Sequence, residues 1–309
     1  MTTSPASGAE DAERRLGLAF ALSAFLMWGF LPAYYKWTAA IPADLVVAHR
    51  ILWSVLFLAI FLGLRGRLGE VGAILRDPAT LSKLTLSAAV ISINWLVFIW
   101  AVERGRILEV SFGYFSNPLV SVAIGLVVLK ETLSRWQAIA IGLATVAVGI
   151  QALALGGFPW VSMALAFSFA SYGYLRKTVA VGASPGLMVE AIVLAPLALA
   201  YLVYAGISGG GAAMADVLPI DRPGLFMLLI GTGVVTAVPL AMFAAGARRL
   251  SLTAVGLMQY IAPSIQFLLA LYVYGEEVEP VRLATFGLIW VSLAIFTTDT
   301  LYRHERRRK

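Results

Sequence analysis

Apolar stretches of about 20 residues, the length needed to cross a bilayer as a helix, recur along the whole chain. Short polar connections separate them, and none could hold a soluble domain. The pattern predicts an all-α membrane protein with ten transmembrane helices. The segments are residues 16–36, 43–64, 82–102, 108–129, 135–155, 158–178, 185–206, 224–246, 251–274 and 281–302.

One stretch of the chain occurs twice. Ser111–Glu131 returns 145 positions later as Gly256–Glu276, and Pro118 aligns with Pro263 without a gap. The duplication predicts two repeats of five helices, residues 16–155 and 158–302. An odd number of helices inverts the second repeat relative to the first, as in transporters whose binding site lies between two inverted repeats. The alternative is a chance similarity between apolar helices.

Both copies carry the same small, polar and proline-containing face. Spacings of i, i+3, i+7, i+10 and i+14 place five positions on one stripe of a helix. Because both the stripe and the Pro/Glu spacing repeat in register, common ancestry explains the similarity better than chance. The stripes are Ser111, Tyr114, Pro118, Ser121 and Gly125, and Gly256, Gln259, Pro263, Gln266 and Ala270.

The composition supports a bilayer protein. Hydrophobic residues make up 60% and charged residues 13% of the 309 positions, whereas soluble domains are roughly one-quarter charged. There is no cysteine and there are two histidines, so we expect no disulfide, metal site or cofactor. Residues 1–15 are predicted to form a disordered cytoplasmic tail, and residues 303–309 a basic one.

The net charge of +6 reflects membrane orientation rather than nucleic-acid binding. Most of the 23 Lys and Arg residues fall on one side when the connections are assigned alternately to the two faces. Positive residues accumulate on the cytoplasmic side. Both termini are therefore predicted to be cytoplasmic.

Prolines and amides mark a candidate substrate site. A proline frees the carbonyl four residues earlier, and here Pro118 and Pro263 free those of Tyr114 and Gln259; simple kinks are the alternative. Pro239 is a third candidate hinge. The predicted cavity wall is Asn94, Tyr114, Asn117, Gln259 and Gln266, and the aromatic candidates for stacking or for packing are Trp28, Trp100, Tyr172 and Tyr260.

Ionisable residues within membrane helices are functional candidates. His49 and Arg50 lie in the second predicted helix, with Glu109 the expected partner of Arg50. Glu190 lies in the seventh helix, where we expect Arg248 or Lys177 to reach it and Arg50 to be too far away. Either carboxylate could couple transport to protons; structural ion pairs or snorkelling side chains are the alternative.

Small residues recur on the fifth predicted helix at Ala138, Gly142, Thr145 and Gly149. This spacing is typical of close helix packing in membranes. We expect an internal packing seam, with a homodimer contact as the alternative.

Several motifs resemble the EamA branch of the drug/metabolite transporter superfamily: FLMWGFLPAYYK, PADLVVAHRILWS, NWLVFIWAV, SFGYFSNPLVSV, LMVEAIVLAPLA and GEEVEPVRLATFGLIWVSLAIFTTD. The resemblance runs from about Leu16 to Tyr302. It implies an inner-membrane carrier with inverted five-helix repeats and a cavity lined mainly by helices 1, 3, 4, 6, 8 and 9.

The family's assigned role is drug or metabolite export, and the branch includes proteins named for chloramphenicol sensitivity. By resemblance, the important positions are Trp28, His49, Arg50, Asn94, Trp95, Tyr114, Asn117, Glu190, Gln259 and Tyr260.

These observations favour a secondary transporter that exports small amphipathic molecules. An intramembrane enzyme needs a nucleophile and a base within reach of each other, and no such motif accompanies His49. A channel usually shows rings of charge or carbonyl filters, which the sequence lacks.

Overall fold

The computed structural model describes residues 5–38, 40–104, 107–154, 160–208, 216–273 and 280–306. These ranges are almost entirely helical and contain no strand, which confirms the all-α class. The helices are α1 Pro5–Trp37, α2 Ala43–Leu64, α3 Leu68–Arg76, α4 Pro78–Glu103, α5 Ile107–Val127, α6 Arg135–Ala154, α7 Trp160–Thr178, α8 Ala183–Ser208, α9 Pro223–Arg249, α10 Leu252–Met258, α11 Ile261–Tyr272 and α12 Pro280–Arg306.

Within the described ranges, seven apolar stretches are long enough to cross a membrane. They lie in α1, α2, α4, α6, α8 and α9 and across the α10–α11 pair, while α5 and α12 hold shorter apolar stretches. The chain is therefore a multi-pass membrane protein. The count of ten spanning helices stays a prediction.

The helix boundaries differ from the sequence expectation at both ends. Helix α1 begins at Pro5 and takes in most of the predicted disordered tail, and α12 continues to Arg306. Residues 1–4 and 307–309 lie outside the described part of the chain.

A short helix, α3, occupies the predicted connection between the second and third membrane segments. Its Val71 and Ile74 are buried, and it packs against α8. The exposed Arg67 pairs with Glu70 at 2.5 Å. The ion pair lowers the pKa of the Glu70 carboxyl, chiefly because Arg67 donates hydrogen bonds to it. Helix α3 is thus amphipathic, with one face on the bundle.

The ninth predicted segment is broken into α10 and α11 at Gln259 and Tyr260. Pro263 has no N–H for the Gln259 carbonyl, so the regular helical bonding is interrupted there. Helix α5, by contrast, continues through the equivalent Pro118. Aligned prolines therefore produce a break in the second copy only.

The main packing contacts join the first half of the chain, α1–α6, to the second, α7–α12. Helix α5 packs on α7 and α10, α1 on α9 and α11, α2 on α8 and α9, α4 on α7 and α8, and α6 on α12. The two halves interleave, and each of the four hydrophobic clusters among the described residues contains side chains from both halves.

The small residues of α6 do not form the internal seam that was expected. Gly142 and Gly149 are exposed, and a Cβ added at either would contact nothing. Helix α6 instead packs on α12 through Ala140, Ala144 and Ala147, and Ser292 Oγ donates to the Ala140 carbonyl at 2.7 Å. The seam faces away from the bundle, so the homodimer contact stays a prediction.

Candidate functional site

A cavity of about 580 Å³ lies between the two halves. It reaches the α1–α2 turn at Thr38 and Ile41 and ends near Phe25 and Leu240. Its size suits a small organic ligand. Seven predicted site residues line it: Trp28, Asn94, Trp95, Tyr114, Asn117, Gln259 and Gln266; Arg50 and Pro263 line it as well.

The resemblance implied a cavity lined by predicted helices 1, 3, 4, 6, 8 and 9, which are α1, α4, α5, α7, α9 and the α10–α11 pair. All of these contribute to the wall, and one further helix does so as well. Helix α2 contributes Val46, Val47 and Arg50 to the wall. The cavity also contains aromatic side chains that the sequence analysis did not select, namely Tyr35, Phe98 and Phe169. The chain contains 16 Phe and 11 Tyr residues, so residue type alone did not distinguish these three from aromatic residues that only pack.

Five aromatic rings close the end of the cavity that lies opposite the α1–α2 turn. Trp28 lies 5.7 Å from Phe169 and 5.6 Å from Phe243 between ring centroids. Phe25 packs edge-on against Phe243, and Tyr172 stacks on Phe243 at 6.0 Å. Tyr172 therefore belongs to this aromatic floor and does not line the cavity.

The amide side chains of the wall differ in how well they are bonded. Asn94 Nδ2 donates to the Leu165 carbonyl and to Ser168 Oγ, so α7 holds this side chain in place. Gln266 Nε2 donates to the Trp28 carbonyl at 3.1 Å. Asn117 Oδ1 and Gln259 Oε1 are buried and have no hydrogen-bond donor among the described residues.

Arg50 is the charged residue of the described cavity lining. Its Nε donates to Thr236 Oγ1 at 3.0 Å, and its guanidinium lies 5.3 Å from the ring centre of Tyr35 and 5.2 Å from that of Trp95. None of the ion pairs between described residues includes Arg50. The side chain of Glu109 lies outside the described residues, so its pairing with Arg50 stays a prediction.

His49 is buried away from the cavity. Trp53 Nε1 donates to its Nδ1 at 3.2 Å, and its Nε2 lies 2.8 Å from the Val217 carbonyl. Since Nδ1 accepts a hydrogen bond from Trp53, Nε2 carries the hydrogen and donates it in a bond to the Val217 carbonyl. Both nitrogens of a neutral imidazole are thereby used, and His49 links α2 to the segment that precedes α9.

Glu190 pairs with Arg176, and the expectation that Arg248 or Lys177 would reach it is wrong. Arg176 Nη1 lies 3.5 Å from Glu190 Oε1, and both side chains are almost fully buried. The hydroxyl of Tyr172 donates to Glu190 Oε2 at 3.4 Å. Lys177 instead donates to the Ala247 carbonyl near the end of α9, and Arg248 to the Val181 carbonyl in the connection between α7 and α8.

A second pocket, of about 30 Å³, adjoins Glu190 and is large enough for water. It shares Ile91, Trp95 and Leu240 with the wall of the main cavity. Glu190 therefore lies directly behind the candidate binding site.

The repeated prolines lie where the two halves meet, and Pro263 lines the cavity between them. Pro118 is buried where α5 crosses α10, and a Cβ added to Gly256 would lie 2.9 Å from the Pro118 carbonyl oxygen. Tyr260 is fully buried and donates its hydroxyl to the Phe115 carbonyl at 3.0 Å. Tyr260 thus joins the two halves and is absent from the cavity lining. Pro239 is buried inside α9.

Glu131, which the sequence analysis used only as a landmark of the repeat, joins the two halves where α10 begins. Its Oε1 accepts from the Leu252 amide at 2.6 Å, and its Oε2 accepts from the Thr253 amide at 2.9 Å and from the Thr253 hydroxyl at 2.7 Å. These amides begin α10, whose partial positive charge favours a carboxylate. Glu276, its equivalent, lies outside the described residues.

Comparison with known proteins places these features in a family. The sequence model of the EamA-like transporter family matches residues 15–153. Protein RarD of Escherichia coli is 40% identical over 300 residues, which cover 97% of this chain and 100% of that protein. The uncharacterized transporter YojE of Bacillus subtilis is 41% identical over 293 residues, 93% of this chain and 95% of that one.

A more distant relative is the chloramphenicol-sensitive protein RarD of Pseudomonas aeruginosa, 31% identical over 94% of this chain and 97% of that protein. A solved structure described as "Crystal structure of protein" shares the fold, with a TM-score of 0.67 and 16% identity over 92% of this chain and 96% of that chain.

Proposed function

Because the chain belongs to the EamA-like transporter family, among its RarD members, we propose that it is a secondary transporter that exports small amphipathic metabolites or drugs. The observation that carries this proposal is the 580 Å³ cavity, whose wall combines aromatic rings and amides from both halves of the chain. Export across the bacterial inner membrane proceeds by alternating access.

The packing supports two inverted repeats of five membrane-spanning helices. In the repeat, α1, α2, α4, α5 and α6 correspond to α7, α8, α9, the α10–α11 pair and α12 in that order. This correspondence relates the α5–α7 contact to the α11–α1 contact, and the α1–α9 contact to the α7–α4 contact. The same correspondence relates α2–α9 to α8–α4, whereas α2–α8, α6–α12 and α5–α10 map onto themselves. Such a relation is expected of a transporter built from inverted repeats.

Two contacts join the halves at the end of the molecule opposite the cavity opening, and they indicate which side of the transporter is closed in this conformation. Glu131 binds the start of α10, and Arg249 pairs with Glu13 at 2.7 Å; the distribution of Lys and Arg assigns both contacts to the cytoplasmic face. The cavity reaches the opposite end at Thr38 and Ile41. We assign this conformation to the state whose cytoplasmic side is closed, and we call the Glu131 contact the inner latch.

Glu190 is the candidate for proton coupling. A buried carboxylate behind the cavity wall, held by Arg176 and Tyr172 at 3.5 and 3.4 Å, is within reach of a pocket that can hold water. Protonation would weaken its attraction to Arg176, so proton uptake and movement of α7 against α8 are linked.

The test is transport by purified protein in liposomes. Thermal-shift screening of chloramphenicol, amino acids, nucleobases and quaternary amines, repeated on Tyr114→Ala and Gln259→Ala, first identifies a ligand that depends on the cavity. That ligand must then show saturable flux and counterflow against an unlabelled load. Flux that rises linearly without counterflow indicates a channel, and a chemically altered ligand indicates an enzyme; either result contradicts the proposal.

A further inference from the structure

We propose that the cavity selects an organic anion that carries an aromatic body and a neutral hydrogen-bond donor, as in an aromatic 2-hydroxy acid. This inference rests on the proposed transport function and names the ligand class of the same site. Three features of the described lining carry it: one cation, two amide oxygens without donors and a wall of aromatic rings.

The charge of the ligand follows from Arg50. Among the described residues that line the cavity, no Asp or Glu accompanies it. Its Nε donates to Thr236, while the two terminal nitrogens are in no hydrogen bond with a described residue. We take these nitrogens to be available to a ligand, which replaces the hypothesis that they pair with Glu109. A guanidinium held between Tyr35 and Trp95 has its fork already oriented, and such a fork binds a carboxylate through two parallel bonds.

The Glu190–Arg176 pair leaves this charge balance unchanged. Both partners lie behind the cavity wall, and their opposite formal charges cancel. An ammonium ligand would meet Arg50 and no described carboxylate, so its desolvation would go uncompensated.

The donor on the ligand follows from Asn117 and Gln259. Their side-chain oxygens are buried, with residue exposures of 6% and 7%, and lack a donor. A buried acceptor without a partner is destabilising, and a ligand hydroxyl or amide N–H would supply the missing hydrogen bond once the amide turns its oxygen towards the cavity. Gln259 Nε2 already contacts Ser121 Oγ at 3.3 Å, which orients the oxygen of the same amide.

The apolar body follows from the rest of the wall. Trp28, Trp95, Phe98 and Phe169 surround the polar groups, and aromatic rings of this kind contribute both buried area and ring-to-ring contacts. A ligand with an aromatic ring three bonds from its carboxylate could reach Arg50 and the rings together.

Five probes that share a phenylethyl group separate the contributions of charge, donor and ring: 3-phenyllactate, 3-phenylpropionate, phenylalanine, phenethylamine and the neutral 3-phenylpropan-1-ol. Binding to the full-length protein in nanodiscs is measured by calorimetry. We expect 3-phenyllactate to bind best, 3-phenylpropionate several-fold more weakly, and phenethylamine at least tenfold more weakly than 3-phenyllactate. Failure of 3-phenyllactate to bind more tightly than phenethylamine and phenylalanine overturns the inference.

Variants test which residue recognises the carboxylate of the ligand and which residues recognise its hydroxyl. Arg50→Gln should weaken both acids at least tenfold and leave 3-phenylpropan-1-ol unchanged, which also shows that the cavity is intact. Asn117→Leu and Gln259→Met should remove most of the advantage of 3-phenyllactate over 3-phenylpropionate. The control Arg67→Gln removes a charge just before α3, outside the described cavity lining, and should leave the binding of both acids unchanged. Unchanged acid binding by Arg50→Gln overturns the inference.

Counterflow distinguishes this inference from the transport proposal. If the amine is bound and exchanged best, the carrier stands and the anion class is wrong. If 3-phenyllactate binds as expected but shows no counterflow, the ligand class stands and the transport proposal fails.

Discussion

The hydroxyl of Tyr260 donates to the backbone carbonyl of Phe115 at 3.0 Å, and these two residues are 145 positions apart in the chain. That offset is the offset of the internal repeat, so equivalent residues of the two copies touch each other. Residues related by a two-fold axis meet only where the axis passes. The contact therefore marks the axis of the proposed inverted repeats, at the point where α5 crosses the α10–α11 break.

Removing this hydroxyl should weaken the join between the halves. Tyr260→Phe keeps the ring against Phe115, whose centroid lies 6.5 Å away, and loses one buried hydrogen bond, worth about 1 kcal/mol. We expect a matching loss in the free energy of unfolding, measured by SDS titration. Tyr272→Phe, at a ring that is 77% exposed, is the control and should unfold like the wild type.

Close packing of α2 on α9 depends on Gly233. A Cβ at this position would overlap the backbone carbonyl of Trp53 and lie 2.7 Å from its Cβ. Because backbone cannot move aside as a side-chain tip can, Gly233→Ala should cost about 1 to 3 kcal/mol. Gly142→Ala places the same methyl group in open space, and equal effects of the two substitutions on thermal stability would refute this packing.

His49 should matter for stability and leave transport intact. His49→Ala removes the acceptor of Trp53 and the donor to Val217, and a buried polar group left without its partner costs about 1 to 3 kcal/mol. We expect a lower melting temperature with counterflow and its pH profile unchanged at permissive temperature. A shifted pH profile would instead assign His49 to proton coupling.

Glu190→Gln should uncouple export from protons. The amide retains the size of the side chain and can still accept from Tyr172, but it cannot exchange a proton. Uptake into inverted vesicles driven by a pH gradient should fall to the level without a gradient, while counterflow persists. Unchanged gradient-driven uptake in the double variant with Glu109→Gln would eliminate both carboxylates as coupling groups.

The sequence predicted the cavity wall better than it predicted the charged pairs. Asn94, Asn117, Gln259 and Gln266 could be selected because amides in apolar helices must face protein or water. The partner of Glu190 could not, since the identity of the cation depends on the rotation of α7. Arg176 points inward, whereas Lys177, the next residue, points to the end of α9. Consecutive residues of a helix differ by about 100° in direction, so the sequence alone does not say which of the two faces Glu190.

The structure differs from the sequence expectation at α3 and at α6 as well, because both depend on how helices pack against each other. Val71 and Ile74 lie three residues apart between charged residues, a pattern of a short amphipathic helix, but the connection containing α3 was too short to register as a membrane segment. The exposed face of α6 has the spacing of a packing seam, and only the position of α12 on its other face shows which side is covered.

Alternating access at the inner latch can be tested most directly by cysteine labelling, because the chain contains no cysteine. Leu31→Cys places one thiol in the cavity wall, and an impermeant maleimide is applied to right-side-out and inverted vesicles. Glu131→Gln weakens the latch, since a neutral amide cannot replace a carboxylate that accepts three hydrogen bonds. The account predicts faster labelling from the cytoplasmic face together with slower labelling from the outer face; rates that rise together, or do not change, would contradict it.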